Sequence, residues 1–217
     1  TVFGPLFANV VLADEINRAP AKVQSALLEG MQERRATIGL QTYDLPAPFV
    51  VLATMNPYDA DGTYPLPLAQ LDRFLAKVVV PYPSREEEQA IVDRFGGGEP
   101  PLETGVATPA DVLRWQQEAH AVFVDAKLRD YAIDLVRASR TAELVAHGGS
   151  PRAALALVML ARARAYLEDR AFATPDDVRD LAPAVLRHRL SYDDRIAIRG
   201  GDPEDVVRAI VASVRAP

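Results

Sequence analysis

The stretch VVLADEINRAP, residues Val10–Pro20, joins an apolar run to two adjacent acids and decides the fold assignment. The run before Asp14 and Glu15 lacks the polar alternation of a half-exposed strand, which is typical of a buried, parallel strand. Ligands gather at the carboxyl ends of strands in open α/β sheets. Neighbouring strand residues face opposite sides, so two adjacent acids at the carboxyl end of a strand can take different tasks, one toward the water shell of a metal and one toward an attacking water. The alternative is that Asp14 merely ends the strand and Glu15 is solvated.

Apolar runs of this kind recur through the first part of the chain. Buried parallel strands are predicted over Asn9–Ala13, Phe49–Thr54 and Lys77–Val80. A helix is expected to begin near Pro20, with an apolar face made of Val23, Leu27 and Met31 and with Leu28 beside it. A β-hairpin is expected over Ala36–Tyr43 around Gly39. These elements predict the α/β class with a parallel sheet.

After Ser84 the sequence predicts helices. Ser84 and Glu87 form a capping box, and four later starts place proline directly behind a capping residue: Thr108-Pro109, Ser150-Pro151, Thr174-Pro175 and Asp202-Pro203. A further helix is expected from Leu128 through Leu144, closed near Gly148. The glycine- and proline-rich stretch Gly96–Pro101 is predicted to be a linker. It divides the chain into an α/β region, 1–98, and an all-helical region, 99–217.

The composition narrows the chemistry. The 217 residues are 49% hydrophobic and 25% charged, as expected for a globular protein. They include no cysteine and only three histidines, far apart, which excludes thiolate chemistry and disfavours a His-based metal site. The net charge of −6 disfavours a broad nucleic-acid surface. No apolar run is long enough for a membrane span, and the first residues lack a basic signal-peptide region, so a cytoplasmic protein is expected.

Three further side chains are candidates for ligand contacts. Asn56, in LATMNP, follows the second strand, and its amide can donate to phosphate and accept from water; the alternative is an Asx-turn. Arg73, in GTYPLPLAQLDRF, is the second candidate for a ligand contact; the alternative is that it forms a surface salt bridge. Arg152, in SPRAALAL, lies in the first turn of a helix, where an anionic ligand would be favoured. Its alternative is an ion pair with a nearby carboxylate such as Asp134 or Glu143.

Basic residues elsewhere leave more than one reading open. Of the basic side chains, only Lys22, Lys77 and Lys127 are lysines, and the rest are arginines. Arginine suits bidentate contacts with phosphate and carboxylate groups. The cluster RHRL, Arg187–Leu190, could face a subunit interface, DNA or solvent, and it is interpreted as a solvent-exposed or subunit-interface cluster. Arg18 could likewise meet a neighbouring protomer.

The string DEINRAP resembles the Walker B motif of AAA+ ATPases, and in particular that of the MoxR branch. The resemblance implies a partial AAA+ parallel-sheet core followed by a helical lid subdomain. It also implies that Asp14 supports Mg²⁺ and that Glu15 polarises the water that hydrolyses ATP. Asn56 matches sensor 1, Arg73 matches an arginine finger that acts on the ATP of a neighbouring subunit, and Arg152 matches sensor 2, whose action in cis or in trans stays open.

The same resemblance implies an assembly and a client. MoxR-type proteins are ring-forming ATPases, so a homo-oligomer, in particular a hexameric ring, is expected. The function expected is Mg²⁺-dependent ATP hydrolysis that drives chaperone-like remodelling of partner proteins, such as von Willebrand factor A domain proteins. The alternatives are a non-hydrolysing AAA+ interaction module, a DNA-remodelling AAA+ protein, or a magnesium-chelatase-like subunit.

One family motif does not occur in the sequence. There is no G-x-x-x-x-G-K-[ST], the loop that cradles phosphates, which in the family precedes the Walker B motif. That loop supplies much of the hold on the nucleotide. The chain by itself is therefore expected to bind ATP poorly and to be inactive.

Overall fold

The computed structural model describes residues 3–56, 64–98, 104–198 and 201–217. Strands β1 (Val10–Ala13) and β4 (Val50–Ala53) pair in parallel, which confirms the first two predicted strands and the α/β class. The expectation that these strands are buried on both faces is wrong. Val11 and Val51 pack against a small core of Ala36, Leu45 and Phe49, whereas Val10, Leu12, Val50 and Leu52 are exposed. Only one face of the pair is covered by the described residues.

The predicted third strand, Lys77–Val80, is not a strand. The Lys77 N–H donates to the carbonyl of Ala184 at 2.8 Å, and Val78 and Val80 are exposed. A strand exists only by exchanging hydrogen bonds with a neighbouring strand. No strand lies beside this segment in the described ranges, so its apolar pattern does not produce one.

Between β1 and β4, the predicted helix and hairpin are both present. Helix α1 (Ala21–Glu33) follows Pro20, and the hairpin pairs β2 (Arg35–Ile38) with β3 (Gln41–Asp44). Gly39 sits in the turn with a φ of 65°, a conformation that favours glycine. The buried face of α1 centres on Gln24 and Leu28, with Leu27 and Met31 half-buried. Val23, which was expected on that face, is exposed.

The remaining elements are mostly helices. All five predicted helix starts are confirmed, since each capping residue directly precedes its helix. The helices are α2 (Leu68–Leu71), α3 (Arg85–Phe95), α4 (Pro109–Ala121), α5 (Ala126–Ser139), α6 (Pro151–Leu167), α7 (Pro175–Leu186), α8 (Arg195–Ile198) and α9 (Pro203–Ser213). A short antiparallel pair joins β5 (Val145–His147) to β6 (Ser191–Tyr192).

Helix α5 ends earlier than predicted, at Ser139 rather than Leu144. The Ser139 hydroxyl donates to the carbonyl of Val136 at 2.6 Å and accepts from the N–H of Gly149 at 2.9 Å, which turns the chain back. Gly148 does not close this helix. Instead it lies so close to Arg140 that an added Cβ would meet the Arg140 Cα at 2.6 Å. Glycine is therefore required at position 148 because the chain passes too close to Arg140 for a side chain to fit.

The main hydrophobic core lies in the helical region. Leu135, Leu157, Leu186 and Val207 are fully buried where α5, α6, α7 and α9 meet. Ala153, Ala161 and Ala165 are also fully buried on α6, and such small side chains let helices approach closely. The predicted linker Gly96–Pro101 falls partly on residues 99–101, which lie outside the described residues. The division at residue 98 stays a prediction. None of the described helices is both long and apolar enough to cross a membrane.

Candidate functional site

The two adjacent acids lie where β1 ends beside β4. Asp14 follows the strand directly, and Glu15 adopts a left-handed backbone conformation with a φ of 47° and a ψ of 52°. This conformation is uncommon for a residue with a side chain. A single 3-10 turn, Ile16–Arg18, follows it. The chain therefore bends sharply at the pair, and both carboxylates stand at the carboxyl end of the parallel strands.

Thr54, the first residue after β4, ties the two acids together. Its hydroxyl donates to Asp14 Oδ1 at 2.5 Å and accepts from the Glu15 N–H at 2.8 Å. The Thr54 carbonyl accepts from the Ile16 N–H at 3.1 Å, and the Thr54 N–H donates to the Ala13 carbonyl at 3.1 Å. The end of β4 thus holds the bend that carries Asp14 and Glu15.

Sequence reasoning missed Thr54, although a signal was present. The tetrapeptide VVLA occurs at Val10–Ala13 and again at Val50–Ala53, and the two copies pair in register. In a parallel pair, this register places the next residues, Asp14 and Thr54, side by side. The identical runs would therefore have pointed to Thr54 as the neighbour of Asp14.

The other two residues near this bend are Arg18 and Asn56. Arg18 Nε lies 2.9 Å from Glu15 Oε2, so Arg18 forms an ion pair within its own chain. Asn56 is half-buried and lies two residues beyond Thr54, which contacts both acids. Pro57, which follows Asn56, lies outside the described residues. Asp14, Glu15 and Asn56 form the first group of predicted site residues.

Buried Gln24 connects this bend to the segment that carries Arg73. Its side-chain amide donates to the carbonyls of Ile16, Ala19 and Tyr64 at 3.2, 3.1 and 3.0 Å. The Tyr64 N–H in turn donates to the carbonyl of Asn17 at 2.6 Å. A buried amide that satisfies several carbonyls at once fixes the main chain around it. The segment from Tyr64 to α2 is therefore anchored on the turn after Glu15.

Asp72, next to Arg73, meets the start of α6. The Ser150 hydroxyl lies 2.9 and 2.8 Å from the two Asp72 carboxylate oxygens, and Arg152 Nη1 lies 3.4 Å from Oδ2. The ion pair predicted as the alternative for Arg152 exists, but its partner is Asp72 rather than Asp134 or Glu143. Arg73 makes no such pair with Asp72 or any other described carboxylate, and its side chain is exposed. Arg73 and Arg152 form the second group of predicted site residues.

The interpretation of RHRL as a solvent-exposed or interface cluster is wrong for its two central residues. His188 and Arg189 are 5% and 3% exposed. Arg189 Nε lies 3.1 Å from Asp72 Oδ1, and its other N–H groups donate to main-chain carbonyls of Asp72, Phe74, Leu75 and Val185. Burial lowers the pKa of Arg189, which Asp72 opposes. The basic RHRL pattern did not predict the burial of Arg189, because four of its hydrogen bonds go to main-chain carbonyls, and such contacts cannot be seen in the sequence.

His188 lies beside this contact. Its Nε2 is 3.0 Å from the carbonyl of Phe74, and its Nδ1 is buried with no hydrogen-bond partner. Burial, together with the positive charges of Arg189 and Lys77, lowers the pKa of His188 to about 4, although the hydrogen bond to Phe74 opposes this shift. The imidazole is therefore neutral at neutral pH and donates its one proton to Phe74.

The residues around Asp14 fit a magnesium ion held together with a nucleotide. Mg²⁺ is usually bound through one or two carboxylates, with water and substrate phosphates completing its shell. Asp14 is exposed, and Thr54 occupies only its Oδ1. Within the described ranges no three acidic or histidine side chains cluster as a complete protein-made metal cage would require. The described residues would therefore supply only part of the Mg²⁺ coordination shell, and nucleotide phosphates and water would supply the rest.

Comparisons with known proteins agree with this geometry. A family model for the ATPase family associated with various cellular activities (AAA) matches residues 1–76, and an AAA lid domain model matches residues 137–210. Chaperone MoxR1 of Mycobacterium tuberculosis is 46% identical over the whole chain, which spans 60% of that relative's length. Protein MoxR of Methylorubrum extorquens is 30% identical, with 96% of this chain and 67% of that protein covered.

A solved structure also resembles this chain. The crystal structure of a candidate ATPase from Cytophaga hutchinsonii superposes with a TM-score of 0.90 at 37% identity, over 99% of this chain and 68% of that one. At this identity the likeness extends to sequence as well as fold. The chain belongs to the MoxR-type family of AAA+ ATPases.

Proposed function

We propose that the complete protein containing this chain hydrolyses ATP with Mg²⁺ and uses the energy to remodel or mature partner proteins. The observation that carries the proposal is the Thr54 hydroxyl, which holds Asp14 and Glu15 in fixed relation at the carboxyl end of β1 and β4. Two adjacent carboxylates with separate environments suit separate tasks. Family membership supports the choice of ATP as the substrate.

In this proposal each side chain has one task. Asp14 holds the water shell of Mg²⁺, and the ion neutralises charge on the phosphates. Glu15 orients and polarises the attacking water, and Asn56 donates its amide to the γ-phosphate. Arg152 contacts the nucleotide from the start of α6. Arg73 is exposed and is the arginine finger that stabilises charge on the equatorial oxygens of a neighbouring subunit's ATP.

The same proposal assigns an architecture and a setting. Residues 1–98 form the partial AAA+ core and residues 99–217 the helical lid. A finger that acts on a neighbouring subunit requires a ring, for which we propose six copies. The partner is a protein, with a von Willebrand factor A domain protein as the first candidate, and the setting is the cytoplasm. The relatives named as MoxR and as a chaperone support this choice over DNA remodelling and magnesium chelation.

The decisive experiment measures ATP turnover by the complete protein with and without Glu15→Gln. We expect kcat to fall by about 10²- to 10⁴-fold, as for loss of a general base, while ATP binding is retained. The matched control is Glu33→Gln, because Glu33 is exposed at the end of α1. A wild-type protein that assembles and binds ATP but does not turn it over would instead support the non-hydrolysing interaction module.

A mixing experiment tests the action of Arg73 on its neighbour. Arg73→Ala subunits and Glu15→Gln subunits are each expected to keep only a small residual ATPase activity when alone. If the two residues serve different sites, mixed rings contain some sites with both intact residues, and activity returns. Continued inactivity of rings shown to contain both variants would contradict the assignment of Arg73 as a finger acting in trans.

A further inference from the structure

The carboxylate of Asp72 lies where the AAA+ segment carrying Arg73 meets the lid helix carrying Arg152. Asp72 is 8% exposed, and its two oxygens receive the Ser150 hydroxyl at 2.9 and 2.8 Å. Ser150 is the N-cap of α6, and its Oγ also accepts from the Arg152 N–H at 3.1 Å. The acid therefore faces the positive end of a long helix, where a negative charge is stabilised.

Arg189 fixes the main chain on the other side of the same carboxylate. Its guanidinium is nearly fully buried, and its five N–H groups match five acceptors. Three of these acceptors are the carbonyls of Asp72, Phe74 and Leu75, which flank Arg73 on both sides. The main chain on both sides of Arg73 is thus held from the lid as well as by hydrogen bonds within its own region.

Arg73 itself takes no part in this cluster. Its side chain is exposed, while the carboxylate beside it in sequence is occupied by Ser150, Arg152 and Arg189. A surface salt bridge between Asp72 and Arg73 would hold the guanidinium against its own chain. Because Asp72 is engaged elsewhere, the guanidinium of Arg73 stays available for an external anion.

We propose that Asp72 is a positioning residue for ATP hydrolysis: held by Arg189 and Ser150, it fixes the backbone of Arg73 and keeps the Arg73 guanidinium unpaired. The inference rests on the proposed function, since it gives Arg73 a reaction to serve. Asp72 does not contact the nucleotide in this scheme. Its contacts with Ser150 and Arg152 tie the residue next to Arg73 to the start of the lid helix.

The test is a double-mutant cycle in the complete protein with Asp72→Asn and Arg73→Ala. The substituted amide can still accept from Ser150, but it lacks the charge that Arg189 and Arg152 face. We expect Asp72→Asn to lower kcat by about tenfold to a hundredfold, as for a misplaced reacting group, with KM for ATP little changed. In the Arg73→Ala background it is expected to lower kcat no further, because it acts through Arg73.

The matched control is Asp180→Asn. Asp180 also accepts from an arginine, Arg164, at 3.0 Å, but it lies on α7 with 44% of its side chain exposed. Thermal unfolding of each variant shows whether it is folded at the assay temperature. If Asp72→Asn is unfolded there, Ser150→Gly replaces it. Glycine is tolerated as an N-cap, and this change removes the hydroxyl that donates to Asp72 and accepts from the Arg152 N–H.

The outcomes separate the inference from the function beneath it. A fall in kcat that disappears in the Arg73→Ala background supports the inference. Two results would overturn the inference alone. In one, the kcat of the double variant falls by the product of the two single effects. In the other, the kcat of Asp72→Asn matches that of Asp180→Asn while the kcat of Arg73→Ala is lowered. An Arg73→Ala protein with unchanged kcat overturns both the inference and the arginine-finger assignment.

Discussion

Single residues at the bend after β1 divide into those that a local sequence pattern identifies and those whose identification needs the pairing of two distant segments. Asp14 and Glu15 stand out because they interrupt an apolar run. Thr54 acts on both of them from 40 residues away in sequence, and its contact depends on the register of a parallel pair. The acids were predicted from their own run, whereas the hydroxyl that orients them is found only when the two identical VVLA runs are recognised as a paired register.

Replacing Thr54 by valine tests this contact in the complete protein. Valine keeps the shape but leaves Asp14 and the Glu15 N–H without their shared partner. We expect kcat for ATP to fall by about tenfold or more, since a small misplacement of reacting groups costs up to 10²-fold. Thr54→Ser retains the hydroxyl and is expected to stay within about threefold of the wild type on that basis. Steady-state ATPase assays measure both, and equal activity of the valine and serine proteins would contradict the role of Thr54.

At the scale of helices, starts were predictable and ends were not. A helix start is determined by residues close together in sequence, because the N-cap residue and the residue three positions later satisfy the free N–H groups. The end of α5 depends instead on Gly149, ten residues beyond Ser139. The predicted strand at Lys77–Val80 was wrong for a related reason, because pairing with another strand is not a local property.

Asp177 shows how much one of these starts contributes to the lid. It accepts from the Thr174 N–H at 2.7 Å and is held by Arg170 at 2.7 and 2.8 Å, with its side chain only 2% exposed. Burial would raise the pKa of Asp177, but Arg170 and Thr174 together lower it below its usual range. The carboxylate is therefore charged at neutral pH and fully partnered.

We expect Asp177→Ala to lower the free energy of unfolding by about 1.5 to 3 kcal/mol, because it removes a buried carboxylate that accepts charge-assisted hydrogen bonds, while Arg170 keeps its exposed partner Glu168. The neighbouring Asp176 forms an exposed pair with Arg179 at 3.0 Å, so Asp176→Ala is expected to cost less than about 1 kcal/mol. Urea denaturation followed by circular dichroism compares the two. Equal losses at the two positions would show that α7 does not depend on the buried pair.

At the scale of the whole molecule, the contact between the region that carries Arg73 and the helical region is built from buried polar groups. His188 and Arg189 follow α7 and bond to residues 72–75. The sequence predicted both regions and their order. It did not predict this contact, because a short basic cluster is usually solvated and nothing local marks His188 and Arg189 as buried.

This contact predicts a pH dependence of stability. The pKa of His188 is about 4 in the folded protein, against an ordinary value of 6.5. Between these values the unfolded chain binds a proton that the folded one does not, so stability falls as the pH drops from 6.5 toward 4. The slope contributed is at most about 1.4 kcal/mol per pH unit.

We expect His188→Gln to remove this contribution, because the glutamine amide can still donate to Phe74 but does not titrate. The free energy of unfolding is measured from pH 7 to pH 5, where carboxylates contribute least. His120→Gln, which removes an imidazole from the exposed surface of α4, is the control. An unchanged slope in the His188→Gln protein would assign the pH dependence to other groups.

Arg189 also bears on how this segment can change during evolution. Three of its acceptors are the main-chain carbonyls of Asp72, Phe74 and Leu75, which every amino acid possesses. Drift in the side chains at 74 and 75 leaves these acceptors in place, so the arginine tolerates it. A change at 189 is not compensated in this way, since lysine has only three donors, arranged around one atom. The main-chain conformation of residues 72–75 thus depends on a residue more than a hundred positions away in the sequence.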